Sequence, residues 1–384
     1  MLFENYTSPW EDEELTMLRD AAKKFFETEF TPKLEKWNAQ GQVDREDWRT
    51  AGSAGLLCAE IPAEYGGGGG DYRHDTVIME EMMYAGVHGW SNQVHSSIVA
   101  PYILHYGSEA QKQRWLPKMA SGEMVGAVAM TEPNTGSDLQ AVRTTAIRDG
   151  DEYVINGSKT YITNGQHCDL VVVVAKTDPN EGARGISLVV VECDNPGFKR
   201  GTNLKKMGLA SADTSEMFFD DCRVPVSNRL GEEEGKGFFQ LMNQLPQERF
   251  SIAQAAVCAM EHAVEITLDY VRERKAFGQR VLDFQNTRFK LAECKTEALV
   301  ARTFVDQLLE KHLKGELDAA TASMAKYWCT QKQNEIIDEC LQLHGGAGYM
   351  DEYEISRMYT DARVQKIYGG TNEIMKELIG RTLD

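Results

Sequence analysis

Two segments far apart in the chain carry the residue types best suited to holding a ligand. One is Ala129-Met130-Thr131-Glu132-Pro133-Asn134-Thr135-Gly136-Ser137-Asp138, and the other is Tyr368-Gly369-Gly370-Thr371-Asn372-Glu373-Ile374. Both are rich in small and hydroxyl residues, which let backbone N–H groups and short side chains approach a bound group. A third position could do acid–base chemistry. Glu248 sits among Leu245, Phe250 and Ile252, and apolar neighbours would desolvate its carboxylate, raise its pKa and make it a better proton acceptor. Its neighbour Pro246 favours the first turn of a helix. The sequence therefore equally permits Glu248 to be a first-turn acid facing the helix dipole, or the partner of a nearby arginine.

Composition narrows the classes of function. The chain has 384 residues, 42% hydrophobic and 26% charged, enough for two or three domains with a substantial core. A net charge of -18 argues against nucleic acid or an anionic membrane surface as the main partner, although a local Lys/Arg cluster could still hold phosphates. Cysteines at 58, 168, 193, 222, 258, 294, 329 and 340 form no CxxC pair and no finger spacing. They read as free thiols in a reducing compartment, with no metal site expected. The start, Met1-Leu2-Phe3-Glu4-Asn5, has neither a signal-peptide nor a transit-peptide pattern, and no apolar run approaches the roughly 20 residues of a membrane span. The expected location is cytoplasmic, in a bacterium. The alternative is the mitochondrial matrix, as a mature chain.

The elements that must position these residues fall into three zones. Residues 1–122 predict an N-terminal helical domain, with amphipathic segments at Glu11–Phe30, Trp48–Leu57, His74–Tyr84, Asn92–His105 and Glu109–Met119. The run Gly66–Gly70 reads as a flexible loop; it is no phosphate cradle, because no GK[ST] follows and no strand precedes it. Residues 123–232 predict a β-domain of short strands, an antiparallel barrel or sandwich. Asp149-Gly150, Asn156-Gly157 and Asn164-Gly165 serve as its turns. No GxGxxG follows a strand, which disfavours a Rossmann site. Residues 233–384 predict a C-terminal bundle of long helices, with the stripe Ile252, Ala255, Ala256, Ala259, Ala263, Ile266 and Tyr270 facing its core. The fold class is thus α+β: helical domain, β-barrel or sandwich, four-helix bundle.

With these zones in order, the chain resembles the acyl-CoA dehydrogenase family. The similarity rests on an ordered set spanning nearly the whole length: Pro62 to Gly70, Met130 to Asp138, Ile155-Asn156-Gly157-Ser158-Lys159 with Tyr161-Ile162-Thr163-Asn164-Gly165, and Lys206-Met207-Gly208. Arg223-Val224-Pro225, Arg272 to Gly278, Gln342-Leu343-His344-Gly345-Gly346 and the 368–373 segment complete it. Leu245 to Arg249, Ala325-Lys326-Tyr327-Trp328 and Tyr368 to Ile379 resemble the long-chain branch in particular.

The resemblance implies FAD as cofactor, an acyl-CoA substrate, an electron-transferring flavoprotein as electron acceptor, and a homotetramer. Met130, Thr131, Gly136, Ser137, Tyr161, Ile162 and Thr163 would lie at the flavin, with Ser137 also near the pantetheine arm. Arg274 and Phe277 would meet the adenine dinucleotide, and Gln285 with Gln342, Leu343, His344, Gly345 and Gly346 would be supplied across a subunit interface. Gly370, Thr371, Asn372 and Glu373 would close over the cofactor. Most of the family carries its catalytic glutamate at the position that is Gly369 here. Glycine cannot take a proton, and the long-chain and isovaleryl branches place the base on the helix of Glu248. The resemblance therefore makes Glu248 the base for the α-proton, and the Gly369 N–H, with the flavin ribityl hydroxyl, a donor to the thioester carbonyl. Leu245, Arg249 and Tyr368 would line the substrate. Alternatives within the same fold are an isovaleryl-type enzyme for branched short acyl groups, an acyl-CoA oxidase using O2, and a non-catalytic acyl-CoA-binding member.

Overall fold

The computed structural model describes residue 3 and residues 6–383. Its first part is helical: α1 (Glu13–Phe25), α2 (Leu34–Gln40), α3 (Arg45–Ser53), α4 (Tyr72–Tyr84), α5 (Ala100–Tyr106) and α6 (Glu109–Ala120). Local chemistry sets their ends. The Asp12 carboxylate accepts from the Leu15 N–H at the start of α1, whose first turn is acidic and last turn basic, and both features favour a helix. Capping boxes open α4 at Asp71 and α6 at Ser108. Two of the expected long helices contain π-helical segments, Phe26–Phe30 after α1 and Gln93–Val99 before α5.

The Gly66–Gly70 run is not the flexible loop that its composition suggests. It folds back on residues 58–63, with Gly67, Gly68, Gly69 and Gly70 donating to Pro62, Cys58, Ile61 and Ala59 carbonyls at 2.9–3.3 Å. A Cβ on Gly67 would lie 2.2 Å from the Ile61 oxygen. Glycine is needed there because two backbones touch.

Seven strands follow: β1 (Gly126–Ala129), β2 (Thr145–Asp149), β3 (Glu152–Thr163), β4 (Leu170–Lys176), β5 (Ile186–Glu192), β6 (Phe198–Asn203) and β7 (Thr214–Pro225). They form one sheet in which β2–β3, β3–β7, β6–β7 and β4–β5 are antiparallel. The sheet is not wholly antiparallel, however: β1 runs parallel to β4, and β2 touches β4 in parallel at Thr145 and Lys176. Strands β4 and β5 are buried on both faces. Val172, Val174, Leu188 and Val190 pack on the N-terminal helices, while Val171, Val173, Val189 and Val191 face the remaining strands. That is why both strands read as unbroken apolar runs. Asn156-Gly157 makes no turn. It lies inside β3 at a bulge, where the Asn156 amide bonds the Asp221 carboxylate and N–H.

The last part holds α7 (Gly237–Glu273), a two-residue hairpin β8–β9 (Lys275–Ala276, Gln279–Arg280), α8 (Gln285–Leu313), α9 (Ala319–His344), α10 (Glu354–Ala362) and α11 (Asn372–Gly380). Helix α7 is buried on almost every side between Gln247 and Val264, the mark of a central helix. A buried ionic cluster ties it to its surroundings. Arg302 of α8 donates to both Glu261 oxygens at 2.9 and 2.7 Å, and to Glu80 of α4. Glu80 also accepts from Arg19 of α1 at 2.8 Å. Asp306 accepts from Tyr6, Ser8 and Trp10 at 2.7–2.9 Å, fastening the N-terminal segment to α8. No helix among the described residues is long and apolar enough to cross a membrane.

Removing one partner of such a cluster strands the others. Arg302→Met should leave Glu80 and Glu261 buried without their shared cation and lower stability by about 3–5 kcal/mol. Urea unfolding at neutral pH measures this; a loss under about 1 kcal/mol would mean that the cluster contributes no net stability.

Candidate active site

Glu248 is not a first-turn acid. Helix α7 begins at Gly237 and runs through Pro246, so Glu248 stands mid-helix, beyond the reach of the terminal dipole. Its side chain is 6% exposed. The Tyr102 hydroxyl of α5 donates to Glu248 Oε1 at 2.7 Å. Burial pushes the carboxyl up to about 7, against the opposing effects of the Tyr102 hydrogen bond and the adjacent Arg249 charge. A carboxyl that titrates near neutral pH can both take and release a proton. Tyr102 is the partner of Glu248 that sequence reasoning missed: it is distant in sequence, and nothing local distinguishes its hydroxyl from that of Tyr106.

Leu245, Glu248 and Ile252 share one stripe of α7 at helical spacing, all three buried. The stripe meets the 368–371 turn. Gly369 has φ +64, and a Cβ built there would lie 2.4 Å from Ile252 Cδ1. A side chain at 369 and the one at 252 thus compete for the same space, one helical turn from Glu248. Arg249 is buried and donates to the Gly369 carbonyl at 3.4 Å. Its Nε therefore ties α7 to the turn at the wall of the site. Among the described residues, neither the Gly369 nor the Gly370 N–H donates to a backbone carbonyl. Tyr368 flanks the turn and is part-exposed.

The expected cofactor residues divide. The loop after β1 is held from below by Glu132, whose oxygens accept from Lys159 Nζ and from the Arg143 and Thr144 N–H groups at 2.7–2.9 Å. Lys159 also donates to the Met130 carbonyl at 3.0 Å, and the Thr160 N–H to the Thr131 carbonyl at 2.9 Å. Gly136 and Ser137 are exposed at the tip. At the end of β3, Tyr161 projects outward at 69% exposure, and Thr163 is half-buried. Ile162 points the other way, into the sheet core, so strand alternation takes its side chain off the ligand face. Asn372 is also unavailable: its amide bonds Tyr327, Thr330 and Lys326 inside the bundle. Thr371 caps α11 by accepting from the Ile374 N–H. Gly370 lies at the turn, and Glu373 is exposed.

Arg274 and Gln342, Leu343, His344, Gly345 and Gly346 line one opening of about 360 Å³. Within one chain, Arg274 and the 342–346 segment thus stand side by side. Tyr270 stacks on His344 with ring centres 4.3 Å apart and donates to its carbonyl. No atom lies within 4 Å of a Cβ placed on Gly345 or Gly346, so the cradle is open to a ligand. Phe277 is 97% exposed on the β8–β9 hairpin, and Gln285 is exposed at the start of α8. A guanidinium beside bare glycines suits a phosphate-bearing nucleotide. The residues present therefore fit the adenine end of a dinucleotide.

Family models match the chain in three consecutive parts: the acyl-CoA dehydrogenase N-terminal domain over residues 12–123, the middle domain over 127–222 and the C-terminal domain over 235–383. The chain belongs to the acyl-CoA dehydrogenase family. It is 50% identical to the mitochondrial long-chain specific acyl-CoA dehydrogenase of Rattus norvegicus, over 96% of this chain and 86% of that protein. It is 34% identical to the mitochondrial isovaleryl-CoA dehydrogenase of Pongo abelii, over 97% and 89% respectively. A crystal structure of an acyl-CoA dehydrogenase from Geobacillus kaustophilus superposes with a TM-score of 0.96 at 49% identity, covering 98% of this chain and all of that one. As a family member the chain is a flavin-dependent oxidoreductase acting on a CH–CH group.

The raised Glu248 pKa has a sign that can be checked without substrate. Its folded value of about 7 lies above the ordinary 4.5, so its contribution to stability is full at low pH and is lost as pH rises through 7. Glu248→Gln removes that loss. Relative to wild type the variant should gain stability between about pH 5 and 8, by at most about 3 kcal/mol. Denaturant midpoints across that range test this, and parallel curves would contradict a perturbed carboxyl.

Proposed function

We propose that this acyl-CoA dehydrogenase family member oxidises the α,β bond of a long-chain fatty acyl-CoA to the trans-2-enoyl-CoA, with Glu248 as the base. The observation that carries the reading is the pairing of positions. A buried carboxylate, held by Tyr102, lies one turn from the residue that fills the space beside Gly369. Glu248 takes the α-proton, Tyr102 orients the carboxylate, and the Gly369 N–H donates to the thioester oxygen where negative charge develops. Leu245 and Ile252 flank the acyl chain and exclude water. Arg249 holds the turn. The 130–137 loop, Tyr161, Thr163 and the Arg274 opening would hold FAD, which would supply the acceptor for the hydride leaving the β-carbon.

The 50% identity to a long-chain specific enzyme supports long straight acyl groups over branched short ones, and electrons would pass on to an electron-transferring flavoprotein. Exposed Phe277 and Tyr349, 97% and 83% accessible, support an oligomer that covers them, a homotetramer in this reading.

Anaerobic titration with palmitoyl-CoA should bleach the flavin band of wild type and leave that of Glu248→Gln unchanged although the ligand binds. Equal bleaching would remove Glu248 from the mechanism, and faster bleaching with isovaleryl-CoA would transfer the reading to branched substrates. Tyr102→Phe should raise the apparent pKa of the base, because it deletes a hydrogen bond to the charged form. Its bleaching rate should be roughly tenfold low at pH 7 and recover toward wild type at higher pH. A defect independent of pH would make Tyr102 a packing residue only.

A further inference from the structure

Gly369 and Gly370 are two consecutive residues in the left-handed region, at φ +64 and +93. A glycine pair has more conformations open to it than any other dipeptide, yet a site that relies on the Gly369 N–H needs one of them. Two cations reach the turn from opposite helices. From α7, Arg249 donates to the Gly369 carbonyl. From α9, Lys326 donates to the Gly370 carbonyl at 2.8 Å and to Asn372 Oδ1 at 3.0 Å. Asn372 is fixed in turn by the Tyr327 carbonyl and Thr330 Oγ1.

Lys326 is 0% exposed. Its hydrogen bonds end on neutral oxygens, and among the described residues no carboxylate forms an ion pair with it. Burial, assisted by the Arg249 charge and opposed by Glu373, pulls its ammonium down to about 7. A buried amine without an anion is unfavourable for folding alone, and a methionine would fill the same volume without that penalty. What the amine adds is its hold on one specific carbonyl.

We infer that Lys326 is a positioning residue of the reaction. Together with Arg249 it clamps the Gly369–Gly370 carbonyls from behind, fixing the turn so that its free N–H groups face the thioester. This rests on the proposed dehydrogenation. It assigns Lys326 a role in stabilising developing charge, acting through the turn without touching substrate.

The test compares Lys326→Met with wild type as flavin-loaded enzymes. Raman or infrared difference spectra would follow the ¹³C-labelled carbonyl of bound hexadec-2-enoyl-CoA, beside the rate of bleaching by palmitoyl-CoA. Wild type should shift the carbonyl stretch to lower wavenumber than in solution. Lys326→Met should lose most of that shift and bleach roughly tenfold to a hundredfold more slowly at saturation, with ligand affinity changed less than about threefold. Its melting temperature should be equal or higher. If Lys326→Met does not fold, Lys326→Gln carries the same comparison. An unchanged carbonyl shift with a bleaching rate within about twofold of wild type would overturn the clamp while leaving Glu248 and the dehydrogenase reading intact. A wild type that never bleaches would overturn that reading, and the clamp's purpose with it.

Discussion

The guanidinium of Arg302, enclosed with the carboxylates of Glu80 and Glu261, is the constraint on which the rest of the molecule is arranged. It binds α8 to α4 and to α7 at a depth where none of the three charges could remain unpaired. Arg19 extends the cluster to α1, and Asp306 extends it to the N-terminal segment. Helix α7 is therefore fixed in translation and rotation along its buried length. A rotation of one residue would carry Glu261 away from Arg302 and, three to four turns earlier, Glu248 away from Tyr102.

Once α7 is fixed, the site follows from a competition for volume. At the point where α7 passes the 368–371 turn, Ile252 fills the space a side chain at 369 would need. In the proposed reaction the acid comes instead from the helix, as Glu248 on that same stripe. At the helix position burial raises the carboxyl to about 7 against the lowering effect of the Tyr102 hydroxyl. The carbonyls of the turn are engaged by Arg249 and Lys326, and among the described residues the Gly369 and Gly370 N–H groups donate to no backbone carbonyl.

Much of this was legible in the sequence, and the parts that were not share a cause. The β4 and β5 runs, the amphipathic α1 and the long α8 and α9 were readable because period and length are local properties. Asn156-Gly157 was misread as a turn because turn chemistry also suits a bulge in a paired strand. The parallel placement of β1 beside β4 depends on contacts distant in sequence. Gly66–Gly70 looked like a flexible loop because composition cannot report that another backbone lies against it. Pro246 looked like a helix start, although packing on every side carries α7 through the missing N–H at a cost of about 3 kcal/mol. Among the expected cofactor residues, the side chains of Ile162 and Asn372 face inward.

The sequence by itself determined the family, the three-part order of elements and the coupled presence of Glu248 with Gly369. These are properties of residue identity and order. The tertiary structure alone decided that Glu248 is buried mid-helix, that Tyr102 holds it, that Arg274 and the 342–346 segment share one opening, and that Lys326 and Arg249 grip the glycine turn. Each of these depends on the desolvation and distance of groups tens to hundreds of residues apart, and no local pattern encodes those quantities.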